Sequence, residues 1–206
     1  MSYRVTQTRS GRVVLTALAL LASTGMAAPA WAATPRETIQ GLIARVSAVL
    51  ADPALEGPDR AAERRARVGG IIHEAFDFPR MAPAALGAPW EGLSGEQRAE
   101  FTRLFGERFG RSYSLLVLRF LGERTTTYAG EAIQGQEAVV RTRLESRTDG
   151  TLPVEYRLVA REGGWGVADV VVDGVSLTGN YRTQFSRILR TTSYDTLLAR
   201  MRRAGD

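Results

Sequence analysis

Two places in this sequence hold side chains able to move a proton. His73-Glu74 sits in IIHEAFDF, and Asp169 sits in WGVADVVV on an otherwise apolar run, with Tyr156 on the strand before it. A histidine next to a carboxylate is a pairing that general bases use. A carboxylate enclosed by apolar residues can serve as an acid of raised pKa. Each also has a plainer reading. Ile71, Ile72 and Phe76 surround His73 as they would a structural histidine on a helix. An aspartate in Asp169's position commonly pairs with an arginine or caps a turn. His73 is the single histidine and there is no cysteine. That excludes His-pair zinc sites, thiol chemistry, iron–sulfur ligation and a disulfide framework. No GxSxG, HExxH, P-loop or GxGxxG pattern occurs. The reading is therefore a non-enzyme, with no catalytic residue, no metal ligand and no cofactor.

The first 32 residues read as a secretory signal. Arg4, Arg9 and Arg12 form a positive start, VVLTALALLA an apolar stretch, and Ala30-Trp31-Ala32 a cleavage site. The apolar stretch is too short to span a bilayer, which takes about 20 residues. Residues 33–206 then form a single domain, long enough to bury a sizeable core. Removing the signal takes three of the 27 basic residues and no acidic one, so the net charge falls from +5 to +2. The scattered arginines of the remainder are matched by acids, which argues against nucleic-acid binding. The chain is expected to be exported from the cytoplasm.

The elements that must position any site follow from capping and periodicity. Thr34-Pro35-Arg36-Glu37 opens a helix whose apolar face is Ile39, Leu42, Ile43, Val46 and Leu50, and Asp52-Pro53 ends it. A charged second helix runs from about Asp59 to Ala75, with a bend or interruption expected at Gly69-Gly70. Asp77 caps a short helix that ends at Gly87. Ser94-Gly95-Glu96-Gln97 launches the longest helix, to about Leu121, with Phe101, Leu104, Phe105, Phe109, Tyr113, Leu116, Val117 and Phe120 on one side. Gly106 and Gly110 inside it mark either close packing or room for a ligand.

From there the period changes to two. Thr125–Ile133 is a weaker strand. Ala138, Val140, Thr142 and Leu144 share one face of the next, and Leu152, Val154, Tyr156, Leu158 and Ala160 one face of the third. Thr148-Asp149-Gly150 and Glu162-Gly163-Gly164 are turns, and Trp165–Val172 is apolar on both faces apart from Asp169. Two helices, near 180–190 and 193–203, close the chain. This order predicts an α+β domain with a small antiparallel four-stranded sheet. It also leaves an excess of apolar faces, which either fill a solid core or line a hollow one that holds an apolar ligand. Periodicity is the same for both.

The stretch FDFPRMAPAALGAPWEGLSGEQRAEFTRLF resembles the signature region of the periplasmic phospholipid-binding proteins of the Mla lipid-transport pathway, also called the toluene-tolerance family. Asp77, Phe78, Met81, Ala82, Leu86, Gly87, Trp90, Glu96, Gln97, Arg98 and Phe101 carry the likeness. A second block, VEYRLVAREGGWGVADVVVDGVSLTGNYRTQFSRIL, matches at Tyr156, Arg157, Trp165, Asp169, Gly174, Ser176, Leu177, Asn180, Tyr181, Arg182 and Phe185. The resemblance spans about residues 36–203. It implies helices and sheet around a deep hydrophobic pocket, with phospholipid as cargo. It also implies shuttling between an outer-membrane lipoprotein complex and an inner-membrane ABC-type lipid transporter complex. Phe76–Trp90 would form part of the helical wall over the pocket, with packing against the sheet as the alternative. The expected lipid-binding residues are Met81, Leu86, Phe105, Tyr113, Leu116, Val140, Tyr156, Leu158, Val170, Val172, Leu177 and Tyr181. Two alternatives stay open: a hopanoid-type cargo, and a small cone-shaped α+β enzyme acting on a hydrophobic substrate.

Overall fold

The computed structural model describes residues 33–121, 124–147 and 150–203. The expected signal segment, and Thr148-Asp149 of the expected turn, lie outside the described residues. Helix α1 (Pro35–Leu50) starts with a reciprocal cap. The Glu37 N–H donates to Thr34 Oγ1 at 3.1 Å, and the Thr34 N–H donates to Glu37 Oε2 at 2.7 Å. Single 3₁₀ turns at Pro53–Leu55 and Pro58–Arg60 lead into α2 (Ala61–Ala75), so the charged helix begins two residues later than its charge pattern suggested. Its Gly69-Gly70 pair does not interrupt it. Val68, Ile71 and Ile72 beside the pair are buried, and their burial outweighs the cost of about 1 kcal/mol per glycine.

Helix α3 (Phe78–Leu86) is capped by Asp77, whose Oδ1 accepts from the Arg80 N–H at 3.0 Å. The junction between α2 and α3 is stitched to the sheet by the Asp77 N–H, which donates to the Val167 carbonyl at 2.8 Å. A 3₁₀ segment (Ala88–Gly92) leads to α4 (Gly95–Phe120), opened by a second capping box between Ser94 and Gln97. Phe101, Phe105 and Phe109 of α4 are fully buried and meet rings from both sides. Phe105 lies 6.1 Å from Phe78 and 5.3 Å from Tyr181, both edge-on, and Phe101 lies 5.6 Å from Phe185.

The sheet consists of β1 (Thr125–Gln134), β2 (Glu137–Ser146), β3 (Gly150–Arg161), β4 (Gly164–Val172) and β5 (Val175–Ser176), antiparallel throughout and in chain order. There are five strands where four are expected. The addition is a two-residue return across Asp173-Gly174, both at positive φ (49° and 79°), the conformation of a tight hairpin turn. A register shift at Arg157/Leu158 resolves the doubly apolar fourth strand. Val170 pairs with Tyr156 and Val167 with Leu158, so both face the core although three positions apart. Helices α5 (Leu177–Leu189) and α6 (Tyr194–Arg203) complete the domain. Helix α5 packs on α3 and β4, and α6 on α4 and α5.

Candidate functional site

The inner face of β2–β4 is covered in two parts. At one end, α3, α4 and α5 press the aromatic cluster onto it. At the other, α1, α2 and the second half of α4 stand over it and leave an apolar cavity that opens to solvent. Leu42, Ile43 and Val46 reach it from α1, and Ile72 from α2. Tyr113, Leu116, Val117 and Phe120 come from α4, with Leu121 at its end. Leu144, Leu152, Val154, Tyr156 and Val172 come from the strands. Among the described residues no charged side chain lines it.

Among the described residues its only polar side chains are two phenols. The Tyr113 and Tyr156 hydroxyls neighbour each other, with Thr142 beside Tyr156. The Thr142 hydroxyl donates to the Val154 carbonyl at 3.2 Å. Burial pushes Tyr113 well above the usual phenol range, reinforced by the neighbouring Tyr156. Tyr156 is raised mainly by burial too, then by Tyr128. Both phenols therefore stay neutral at physiological pH. What the cavity offers is a dry, uncharged surface for hydrocarbon, with a small hydroxyl cluster in its wall.

A second cavity, open to solvent, lies between α4 and α5. Its floor includes Phe109, Tyr113 and Tyr181, all buried. Tyr113 and Leu116 line both cavities and form the wall between them.

The twelve sequence-predicted residues separate accordingly. Tyr113, Leu116, Tyr156 and Val172 line the first cavity; Tyr113, Leu116, Leu177 and Tyr181 line the second. Met81, Leu86, Phe105, Val140, Leu158 and Val170 are buried in the adjoining core and border neither. The Phe76–Trp90 stretch packs against α4, α5 and β4, and none of its side chains lines these two cavities. Gly106 is a site of close packing: a Cβ there would lie 3.1 Å from the Phe78 ring. For the first cavity, sequence reasoning missed the α1 face, Ile72, Val117, Phe120, Leu121, Leu144, Leu152 and Val154. The strand residues share the parity of Val140 and Tyr156, so the signal for them was present. The α1 face was visible as an apolar stripe, but nothing local shows that it stands opposite the sheet.

The two proton-moving candidates lie elsewhere. His73 is exposed on α2, with its ring 5.4 Å from Phe78. Asp169 is buried and faces away from Tyr156. It accepts from the Ser176 hydroxyl at 2.6 Å and the Thr178 N–H at 3.0 Å, with Arg157 Nη1 at 3.8 Å. It joins β4 to the start of α5. Among the described residues no cluster of three or more His, Cys, Asp or Glu could hold a metal ion, and no helix is long and apolar enough to cross a membrane.

Fold and cavity together define a class: a small α+β protein whose helices and antiparallel sheet enclose an uncharged apolar cavity. Residues 40–203 match the family model described as MlaC protein, and the chain belongs to that family. It is 24% identical over 125 residues to the Haemophilus influenzae "Intermembrane phospholipid transport system binding protein MlaC", covering 58% of each chain. It is 25% identical over 100 residues to the Pseudomonas putida "Toluene tolerance protein ttg2D", covering 48% of this chain and 46% of that one. The match thus spans about half the length of these curated relatives. A Ralstonia solanacearum phospholipid-binding protein, solved in complex with a phospholipid, shares the fold. Its TM-score is 0.71 at 22% identity, over 84% of this chain and 97% of that one.

Proposed function

We propose that this protein is a non-enzymatic periplasmic lipid carrier that holds phospholipid acyl chains in the cavity between α1, α4 and the sheet. It passes the lipid between an outer-membrane lipoprotein complex and an inner-membrane ABC-type lipid transporter. The observation that carries the reading is the cavity's lining: fourteen residues, none charged, with only two neutral phenols among them. Membership of the MlaC family supports the same reading. So does the name of the Haemophilus relative, a binding protein of an intermembrane phospholipid transport system. Each buried methylene contributes about 0.8 kcal/mol, so long chains are retained without polar recognition. Release then requires the helices to move off the sheet or a partner to draw the lipid out. The signal-like residues 1–32 fit export.

Protein purified without detergent and examined by native mass spectrometry, then extracted with organic solvent, is expected to yield diacyl phospholipid. A hopanoid in the extract would replace the cargo and keep the carrier. Protein that carries no lipid and takes none up from vesicles would defeat the proposal.

A further inference from the structure

The net charge of +2 on residues 33–206 is unevenly placed. Residues 177–206 carry six arginines against Asp195 and Asp206, a net +4. Residues 33–176 carry 18 arginines against 20 acidic residues, a net −2. All six arginines sit on α5 and α6 or at their ends, all six are exposed, and the two helices pack on each other. Elsewhere arginines meet acids: Arg45 pairs with Glu74, Arg67 with Glu63, Arg103 with Glu107 and Arg141 with Glu155. On the helix pair, Arg202 reaches Glu100 of α4, and Arg182 lies over Gly87 at the end of α3. Arg187, Arg190, Arg200 and Arg203 have no side-chain ion pair or hydrogen bond among the described residues.

These four form two couples, each three positions apart and so neighbours on one helix surface. The buried residues, Tyr181 and Phe185 on α5 and Leu197 and Met201 on α6, occupy other sides. Helix C-termini favour cations, which accounts for the placement without neutralising it. Like charges one turn apart repel, and an anion from outside would relieve them. Between them Thr183, Gln184, Thr191 and Ser193 are exposed and polar. The exposed large apolar residues, Leu115, Ile133 and Val175, belong to α4, β1 and β5. A protein partner is gripped by apolar and aromatic anchors at the centre of an interface, and this face carries none. Unanchored arginines suit a surface of many mobile anions, whose attraction accumulates arginine by arginine.

We propose that the α5–α6 face docks the protein reversibly on an anionic bilayer surface. With no apolar residue to insert, the contact is peripheral and is screened by salt.

The test floats protein purified after export with vesicles of phosphatidylcholine alone, or of phosphatidylcholine and phosphatidylglycerol in equal parts. Wild type is expected to float with the anionic vesicles only, at about 0.1 M salt, and to be released at about 1 M, where the screening length falls to about 3 Å. Each arginine at the surface contributes about fivefold to partitioning. Arg187→Gln combined with Arg203→Gln is therefore expected to weaken binding about 25-fold. These side chains have no internal bond to lose, so the melting temperature should stay near that of wild type. If the double variant does not fold, Arg190→Gln and Arg200→Gln singly, each expected to bind about fivefold more weakly, keep the test. Arg143→Gln removes the same charge from the exposed side of β2 and should leave binding nearly unchanged. Equal losses from Arg143→Gln and Arg187→Gln would trace the effect to net charge and overturn the face. Wild type that floats with neither vesicle or equally with both, or a double variant that floats as wild type does, also overturns it. Salt-sensitive, arginine-dependent binding to an acidic membrane protein, without vesicle binding, would assign the face to a protein partner instead and likewise overturn the proposal. All of these outcomes leave the carrier reading standing, because flotation reports where the protein goes and not what it carries.

Discussion

Asp169 and Thr178 are nine residues apart and joined by a hydrogen bond from the Thr178 N–H to Asp169 Oδ1 at 3.0 Å. The other carboxylate oxygen accepts from the Ser176 hydroxyl, which in turn caps α5 by accepting from the Gly179 N–H at 2.9 Å. One buried carboxylate therefore sets the angle at which α5 leaves the sheet. Asp169→Ala leaves the Thr178 N–H and the Ser176 hydroxyl without their acceptor, and is expected to cost about 2–4 kcal/mol. Urea unfolding measures it. A loss below about 0.5 kcal/mol would show that the carboxylate does not hold this junction.

Tryptophan insertion separates cavity from core. Val154 and Leu116 border empty space, so Val154→Trp or Leu116→Trp should fill the cavity and expel lipid with little change in the delipidated melting temperature. Val140 and Leu158 border neither cavity and are fully buried. Val140→Trp or Leu158→Trp should overpack the core, at a cost of about 1–3 kcal/mol or more. Lipid content and melting temperature, read on the same samples, check both. The reverse pattern would mean that the chains run under α3 instead.

Gly106 and Gly110 lie one turn apart on α4 and should respond oppositely to alanine. At Gly106 the new methyl meets the Phe78 ring at 3.1 Å, and Phe78 is locked among Phe76, Phe105 and Phe109. At Gly110 nothing lies within 4 Å. Gly110→Ala is expected to stabilise by up to about 1 kcal/mol through helix propensity. Gly106→Ala is expected to destabilise despite the same gain. Denaturant midpoints that rise for both would show that Phe78 has room to move.

The buried phenols make stability depend on pH only in the alkaline range. Both pKa values are raised on folding, so the unfolded chain loses these protons first, near the ordinary value of about 10. Their contribution is intact below about pH 10 and is lost as pH rises toward the folded values. The double variant Tyr113→Phe, Tyr156→Phe should lose stability less steeply than wild type above about pH 10. Guanidinium unfolding from pH 8 to 11 tests this, and parallel curves would refute it.

The local elements of this protein are set by its sequence, because their causes lie within a few residues. Thr34 with Glu37, Ser94 with Gln97, and Asp77 with Arg80 are three positions apart, and each starts the helix expected of it. Strand parity on β2 and β3 is equally local, and it sorts Val140, Thr142, Val154 and Tyr156 onto one face. The fifth strand was not read from the sequence, because two residues are too few to show a period. What only the tertiary structure decided is which apolar residues border space. Val140 and Tyr156 are cross-strand partners, yet Tyr156 lines the cavity and Val140 does not. The difference lies in what stands over them: α1, from the other end of the chain, packs on β2 and β4 at one side, and the phenylalanines of α4 fill the other. Periodicity records the side of an element that avoids water. It carries no information about how closely the opposite wall approaches, and that distance separates a core from a cavity.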